Sequence, residues 1–166
     1  MFLELIAVFV AGFAGAGVTL ILSRMTGGRL PRWIIPLGAG AAMLGTGISS
    51  EYGWFNRTAE NLPDGLTVAQ SVQSSAFWRP WTYVVPMTDR FVAVDTANLR
   101  PNSETADLYL ADLYFYGRWK PVQAVEVMVD CADMRRADPV LGDGSDPLWR
   151  EVGAEDPIVK TVCAEV

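Results

Sequence analysis

Five charged side chains crowd one short stretch: Asp130, Asp133 and Asp138 beside Arg135 and Arg136. Carboxylates at such spacing are suited to sharing a proton or holding Ca²⁺, because a neighbouring like charge raises one pKa and hard cations take oxygen ligands. The arginines lie in the same run, however, and the group reads as a solvated strand end whose bases offset its acids. A second group, Asp138, Asp143 and Asp146 around Gly142 and Gly144, resembles a calcium loop but lacks the terminal Glu that such a loop requires. It is read as a flexible turn. The chain has no histidine, which removes the usual general base, the Ser-His-Asp triad and the commonest metal ligand. Cys131 and Cys163 are the only thiols, too few for a four-ligand zinc site. No C-x-x-C-H, P-loop, G-x-S-x-G or dinucleotide fingerprint is present. The expectation is a protein that is not an enzyme, with no catalytic residue, metal or cofactor. A glycosidase-like pair of acids drawn from Asp130 and Glu126 is the surviving enzymatic option.

Aromatic residues supply the better candidates for recognition. The stretch "AFWRPWTYVV" (76–85) sets Trp78, Trp81 and Tyr83 around Arg79 and Pro80, and "DLYFYGRWKP" adds Tyr114, Tyr116 and Trp119. Arg with Trp forms cation–π pairs and is frequent among interface anchors. Trp78, Arg79, Trp81, Tyr114, Tyr116 and Trp119 are therefore the candidate contact surface. The competing reading is that these aromatics begin a sheet and touch lipid headgroups, with some of them simply core.

Two apolar runs must position this surface. From Phe2 to Leu22 only Glu4 is charged, a length that suits a hydrocarbon core of roughly 30 Å. The run from Trp33 to about residue 49 is shorter, with Pro36 in its first turn and Trp33, Tyr52, Trp54 and Phe55 at its ends, where aromatic residues favour the membrane interface. The sequence predicts a two-helix transmembrane hairpin over residues 1–50, with spans at about 2–22 and 33–49. A cleaved signal peptide is the alternative for the first run, but no positive n-region precedes it. Loop 23–32 carries Arg24, Arg29 and Arg32, against Arg57 alone within 51–60. Short basic loops stay cytoplasmic, so both termini are expected in the periplasm of a bacterial inner membrane. Ala7, Ala11 and Gly15 in the first span, and Gly38, Ala42 and Gly45 in the second, offer faces for close helix packing, either on each other or on a partner.

The charge is uneven. Residues 1–50 carry a net +2, while 51–166 carry 18 acids against 10 bases, a net −8. So acidic a domain repels the phosphate backbone and excludes nucleic acid as a partner. Residues 51–77 read as an interfacial connector, in which Leu66, Ala69, Val72 and Phe77 mark either a short amphipathic helix or plain linker. From residue 78 to 166 the period becomes two, and strands are expected at 81–86, 90–99, 106–119, 121–134 and 156–166. Val125, Val127, Val129 and Cys131 share one face of the fourth; Val159, Thr161 and Cys163 share a face of the last. Two cysteines at inward positions in an oxidising compartment read as one disulfide, the alternative being two separate buried thiols. The overall class is α+β: a membrane hairpin followed by a small antiparallel periplasmic sheet.

The succession "RFVAVDTANLR", "ADLYLADLYFYGRW", "VEVMVDCADMRRA" and "DPIVKTVC" resembles the surface-adhesin protein E type of small bacterial domain over about residues 78–166. That resemblance implies an antiparallel sheet with a helical element, and a Cys in a D-C context paired with a Cys in the last strand. It implies no particular activity. Functionally, the sequence suggests a non-catalytic accessory subunit covering the periplasmic face of a larger inner-membrane complex. Respiratory and photosynthetic electron-transfer complexes are candidate hosts. Integral membrane subunits, the lipid bilayer and a basic periplasmic protein such as a cytochrome c are the expected partners. The alternative is a stand-alone anchored binding module, adhesin-like or envelope-sensing.

Overall fold

A computed structural model describes residues 2–103, 105, 107–138 and 147–166. The chain divides into two compact units, Met1–Trp54 and Phe55–Val166. The loop group Asp143 and Asp146 lies outside the described residues.

In the first unit, helix α1 spans Phe2–Met25 and helix α2 begins at Ile34. Gly27 and Gly28 end α1 at positive φ, +68° and +75°, and the Gly28 N–H reaches back to the Ser23 carbonyl at 2.9 Å. Glycine takes this left-handed conformation without the steric cost that a Cβ brings. Arg24, Arg29 and Arg32 are all exposed in and beside this connection. Helix α1 is the one described helix long and apolar enough to cross a membrane. The glycines of α2, together with Glu51, leave it less apolar over a comparable length.

The small residues act mainly within the pair of helices. A Cβ placed on Gly15 would lie 2.6 Å from the Ala42 Cβ and 2.7 Å from the Gly38 carbonyl oxygen. One on Gly38 would collide with the Thr19 methyl, and one on Gly12 would sit 2.9 Å from Met43. Gly15, Gly38 and Ala42 thus belong to the seam, with Ala11 half-buried beside it. Ala7 and Gly45 are exposed, and a Cβ at Gly45 would meet nothing within 4 Å. A right-handed helix turns about 100° per residue, so the four-residue spacing of Ala7, Ala11 and Gly15 drifts around the cylinder and carries Ala7 off the seam, whereas Gly45 lies about 60° from Ala42 on the open side.

Helix α2 continues to Glu60, through the first part of the expected connector. No proline intervenes before Pro63 to stop it. The rest of the connector is neither helix nor linker: Leu66–Ser74 forms strand β1, paired antiparallel with β2. Its pairing shifts register between Val68 and Gln70 and again between Val72 and Gln73. The first shift leaves Ala69 as an extra residue in β1 and resets which of its positions face inward, so Leu66, Ala69 and Val72 recur at three instead of two; the second leaves Asp89 extra in β2.

Strands β2 (Met87–Asp95), β3 (Arg100–Pro101), β4 (Leu108–Gly117), β5 (Lys120–Asp130), β6 (Arg135–Ala137) and β7 (Trp149–Glu151) complete an antiparallel half-barrel sheet in the order β1-β2-β4-β5-β6-β7, with β3 paired to β4. Two further segments differ from the expected strands. "WTYVVP" lies in a 3₁₀ turn over Pro80–Tyr83 and the loop after it, because Pro80 sets the first helical φ and removes a ladder donor. Pro157–Cys163 is helix α3. The Asp156 carboxylate accepts from the Ile158 and Val159 N–H groups at 3.0 and 3.2 Å, and Pro157 fills the first turn. An N-cap followed by proline outweighs the β-branched content that suggested a strand.

The core lies between the sheet and α3. Ile158, Val159 and Val162 pack with Val92, Val94, Ala111, Leu113, Val127 and Val129. Val125 shares their face but is 46% exposed, because the inward alternation of β5 holds only at its C-terminal end. Cys131, just after β5, is bonded to Cys163 at the end of α3, with Cα atoms 5.7 Å apart. The disulfide therefore joins a turn to a helix, where strand positions were expected. On the other face Phe91 stacks flat on Tyr116, centroids 4.7 Å apart and planes 2° apart, and receives Phe55 edge-on at 5.3 Å. Phe55 thus belongs to this packing, and Trp54 is likewise buried, so neither sits as an exposed interfacial aromatic.

Candidate functional site

The acidic cluster resolves into separate structural pairs. Asp130 is buried at the end of β5, contrary to its expected place on the solvated face. Its Oδ1 accepts the Ala132 and Asp133 N–H groups at 3.1 and 3.3 Å, which closes the turn that holds Met134 at φ +50°. Its Oδ2 accepts from Arg135 Nε and Nη2 at 2.9 and 2.8 Å. Burial pushes the Asp130 carboxyl up, but the Arg135 hydrogen bonds and the two backbone donors outweigh it, and its pKa lies below the ordinary value. Arg135 also lies 4.7 Å over the Trp149 ring and 3.0 Å from Asp133. Elsewhere Asp138 pairs with Arg150 at 3.1 Å, and Asp156 with Arg136 at 3.4 Å. Glu126 and Asp112, across the sheet, share Arg100 at 2.8 and 2.9 Å. Among the described residues no three His, Cys, Asp or Glu side chains gather as a metal site.

The candidate aromatics split into two groups. Tyr114 and Tyr116 point to the Phe91 face of the sheet and are half-buried there. Burial, and then the neighbouring Tyr114, raise the Tyr116 phenol above its ordinary pKa. These two tyrosines are packing residues, as their shared strand alternation permits. Trp78, Arg79, Trp81 and Trp119 instead meet at one end of the sheet. The β1–β2 connection and the β4–β5 turn converge there, and Trp78, Arg79, Arg118 and Trp119 line one small cleft of about 120 Å³ with Asp89 and Thr82.

Local hydrogen bonding shapes this end. Thr82 is buried; its hydroxyl accepts the Ala76 N–H at 3.0 Å and donates to the Arg79 carbonyl at 2.7 Å. The N–H groups of Val84 and Val85 both return to the Trp81 carbonyl, at 3.1 and 3.0 Å. Arg79 reaches the Met87 sulfur at 3.7 Å, and Arg118 lies 4.8 Å over the Trp119 ring. With the backbone satisfied inside the loop, the large apolar side chains face out: Phe77, Trp78, Tyr83, Val84 and Trp119 are each at least 59% exposed. Sequence reading picked out the tryptophans and Arg79 but missed Phe77, Val84, Val85 and Arg118. For Phe77, Val84 and Val85 the signal was available in the predominantly apolar composition between Ala76 and Pro86; Arg118 had only its place beside Trp119.

Comparison with known proteins matches no family model, no curated protein and no solved structure.

Proposed function

We propose that this chain is a non-catalytic accessory subunit of a larger bacterial inner-membrane complex, anchored by its helical hairpin with the sheet domain on the periplasmic side. One observation carries the reading. After α1 has packed on α2, its apolar side chains remain uncovered, among them Phe2 at 74%, Leu3 at 78% and Phe13 at 79% exposed. Such a surface calls for lipid or for neighbouring transmembrane helices. Helix α2 is the second span in this reading, and exposed Arg24, Arg29 and Arg32 hold the connection in the cytoplasm. A disulfide is at home in the oxidising compartment beyond the membrane. The non-catalytic part draws support from the engagement of Asp130, Glu126 and Asp112 by arginine. An acidic outer domain also suits a basic soluble partner of the cytochrome c type, with electron-transfer complexes as candidate hosts.

The test is copurification of a C-terminally tagged chain after extraction in mild detergent, with mass analysis of the intact particle. Stoichiometric partners are expected. A lone monomer overturns the reading in favour of a stand-alone anchored binding module. That second reading draws on the separate core and disulfide of the Phe55–Val166 unit and on the resemblance to adhesin protein E-type domains, from which this chain departs in carrying Cys163 on a helix.

A further inference from the structure

The geometry points to a ligand site on the α3-facing side of the sheet: a small cleft that seats an organic carboxylate, its charged head between Arg90 and Lys120 and its apolar body on Phe115 and Val72. The inference goes beyond the reading above and does not depend on what the hairpin packs against, so copurification and the ligand test fail separately.

Strand register builds the cleft. Helix α3 covers this side of the sheet over Val94, Leu113, Val127 and Val129. Next to them lie two cross-strand rows. Gln70, Val92, Phe115 and Gln123 form the first, and Val72, Arg90, Gly117 and Lys120 the second. Together they line a cleft of about 290 Å³, at the lower end of the size range of small-molecule sites. Phe115 is 37% exposed there, with one side of its ring open to a ligand. Gly117 leaves a gap in the second row. A Cβ on it would come within 3.3 Å of the Lys120 Cβ and 3.7 Å of its Cγ and Cδ, so the Lys120 stem lies along bare backbone. Neighbouring strands are about 4.8 Å apart, which sets Arg90 and Lys120 about 10 Å apart at Cα with only backbone between them.

Charge selects the ligand's head. Arg100, Arg135, Arg136 and Arg150 each hold a carboxylate of this chain. Arg90 and Lys120 hold none among the described residues, and no acid lines the cleft. Asp89, next to Arg90 in sequence, lines the separate cleft beside Trp78. Two uncommitted bases around an empty backbone gap, in a domain whose total is −8, are complementary to one oxyanion. The planar guanidinium fork suits a carboxylate, and Gln70 and Gln123 add amide donors at the two ends of the first row. The floor selects the body. A bare inorganic anion would leave Phe115 and Val72 uncovered, and the volume admits only a ring or a short acyl chain beside the head.

The test follows the methyl NMR signals of Val72 and Val92 in the full-length chain, held in phosphatidylcholine nanodiscs, with Val159 in the core as the reference. Hydrocinnamate is expected to shift Val72 and Val92 saturably and to leave Val159 in place. Hydrocinnamide, which has the same shape without the charge, and acetate, which has the charge without the ring, should each bind about tenfold more weakly. Arg90→Gln and Lys120→Gln should each weaken hydrocinnamate by a similar factor with the Val159 signal unchanged, and Arg90→Lys should recover part of the loss. Gly117→Ala keeps both charges but fills the gap, and should weaken binding as well. Should that variant disturb Val159, the two glutamine variants, at exposed positions, carry the test. Equal binding of the acid and its amide overturns the proposal, since the apolar body then acts alone. So does a hydrocinnamate titration that Arg90→Gln with Lys120→Gln leaves unchanged, or one in which Val72 and Val92 never shift. Acetate or inorganic phosphate binding as tightly as hydrocinnamate overturns the ligand class.

Discussion

Arg135 donates two hydrogen bonds to a single oxygen of Asp130, from Nε at 2.9 Å and from Nη2 at 2.8 Å, and leaves the other oxygen to the backbone of the following turn. One carboxylate therefore holds both the β5–β6 turn and the strand after it. A depressed carboxyl pKa contributes stability that is present above the ordinary carboxylate range and lost as pH falls through it. Stability is expected to drop below about pH 4. Asp130→Asn, which keeps the shape but loses the charge, should cost about 1–3 kcal/mol at neutral pH. It should also flatten the acid limb of a denaturation series taken from pH 7 to pH 3.

The disulfide closes a sequence separation of 32 residues. Cys131→Ser with Cys163→Ser should lower the stability of the sheet domain by about 3–4 kcal/mol in the chain-entropy model, read as the shift in urea unfolding with and without reductant. In protein isolated from cells, both thiols should resist alkylation until reduced.

The Asp156 cap makes the last helix testable separately from the disulfide. Asp156→Ala removes two hydrogen bonds to the first turn of α3 and the contact with Arg136. A loss of about 1–2 kcal/mol is expected, with faster amide exchange at Ile158 and Val159. Asp156→Asn should recover much of it, since the amide oxygen also caps.

In the hairpin, Gly15 and Gly17 should part company. A side chain at Gly15 meets Ala42 and the Gly38 carbonyl, whereas one at Gly17 meets nothing within 4 Å. Gly15→Val is expected to cost about 1–3 kcal/mol of helix pairing, measured as thermal stability in detergent, while Gly17→Ala stays near wild type.

Orientation is tested by charge. A periplasm-dependent reporter after Val166 should be active in the wild-type chain. Replacement of Arg24, Arg29 and Arg32 by Asn, with added lysines after Phe55, should reduce its activity sharply.

Composition and period by themselves determined a good deal: the apolar first helix, the tight basic connection, the antiparallel sheet from β2 to β5, and two cysteines placed to meet. These are properties of near neighbours along the chain, where apolar runs and alternation set the local answer. Residues 66–74 were misread because strand pairing decided them, and residues 156–163 because a local cap-and-proline signal was passed over. A bulge at Ala69 erased the alternation of β1, and a capped proline start turned Val-rich residues into the helix that closes the core. Tertiary structure alone separated the aromatics, sending Tyr114 and Tyr116 into packing while gathering Trp78, Arg79 and Trp119 from two distant loops at one sheet end. Strand pairing caused that convergence, and partners as distant along the chain as Arg90 and Gly117 leave no periodic trace in a sequence.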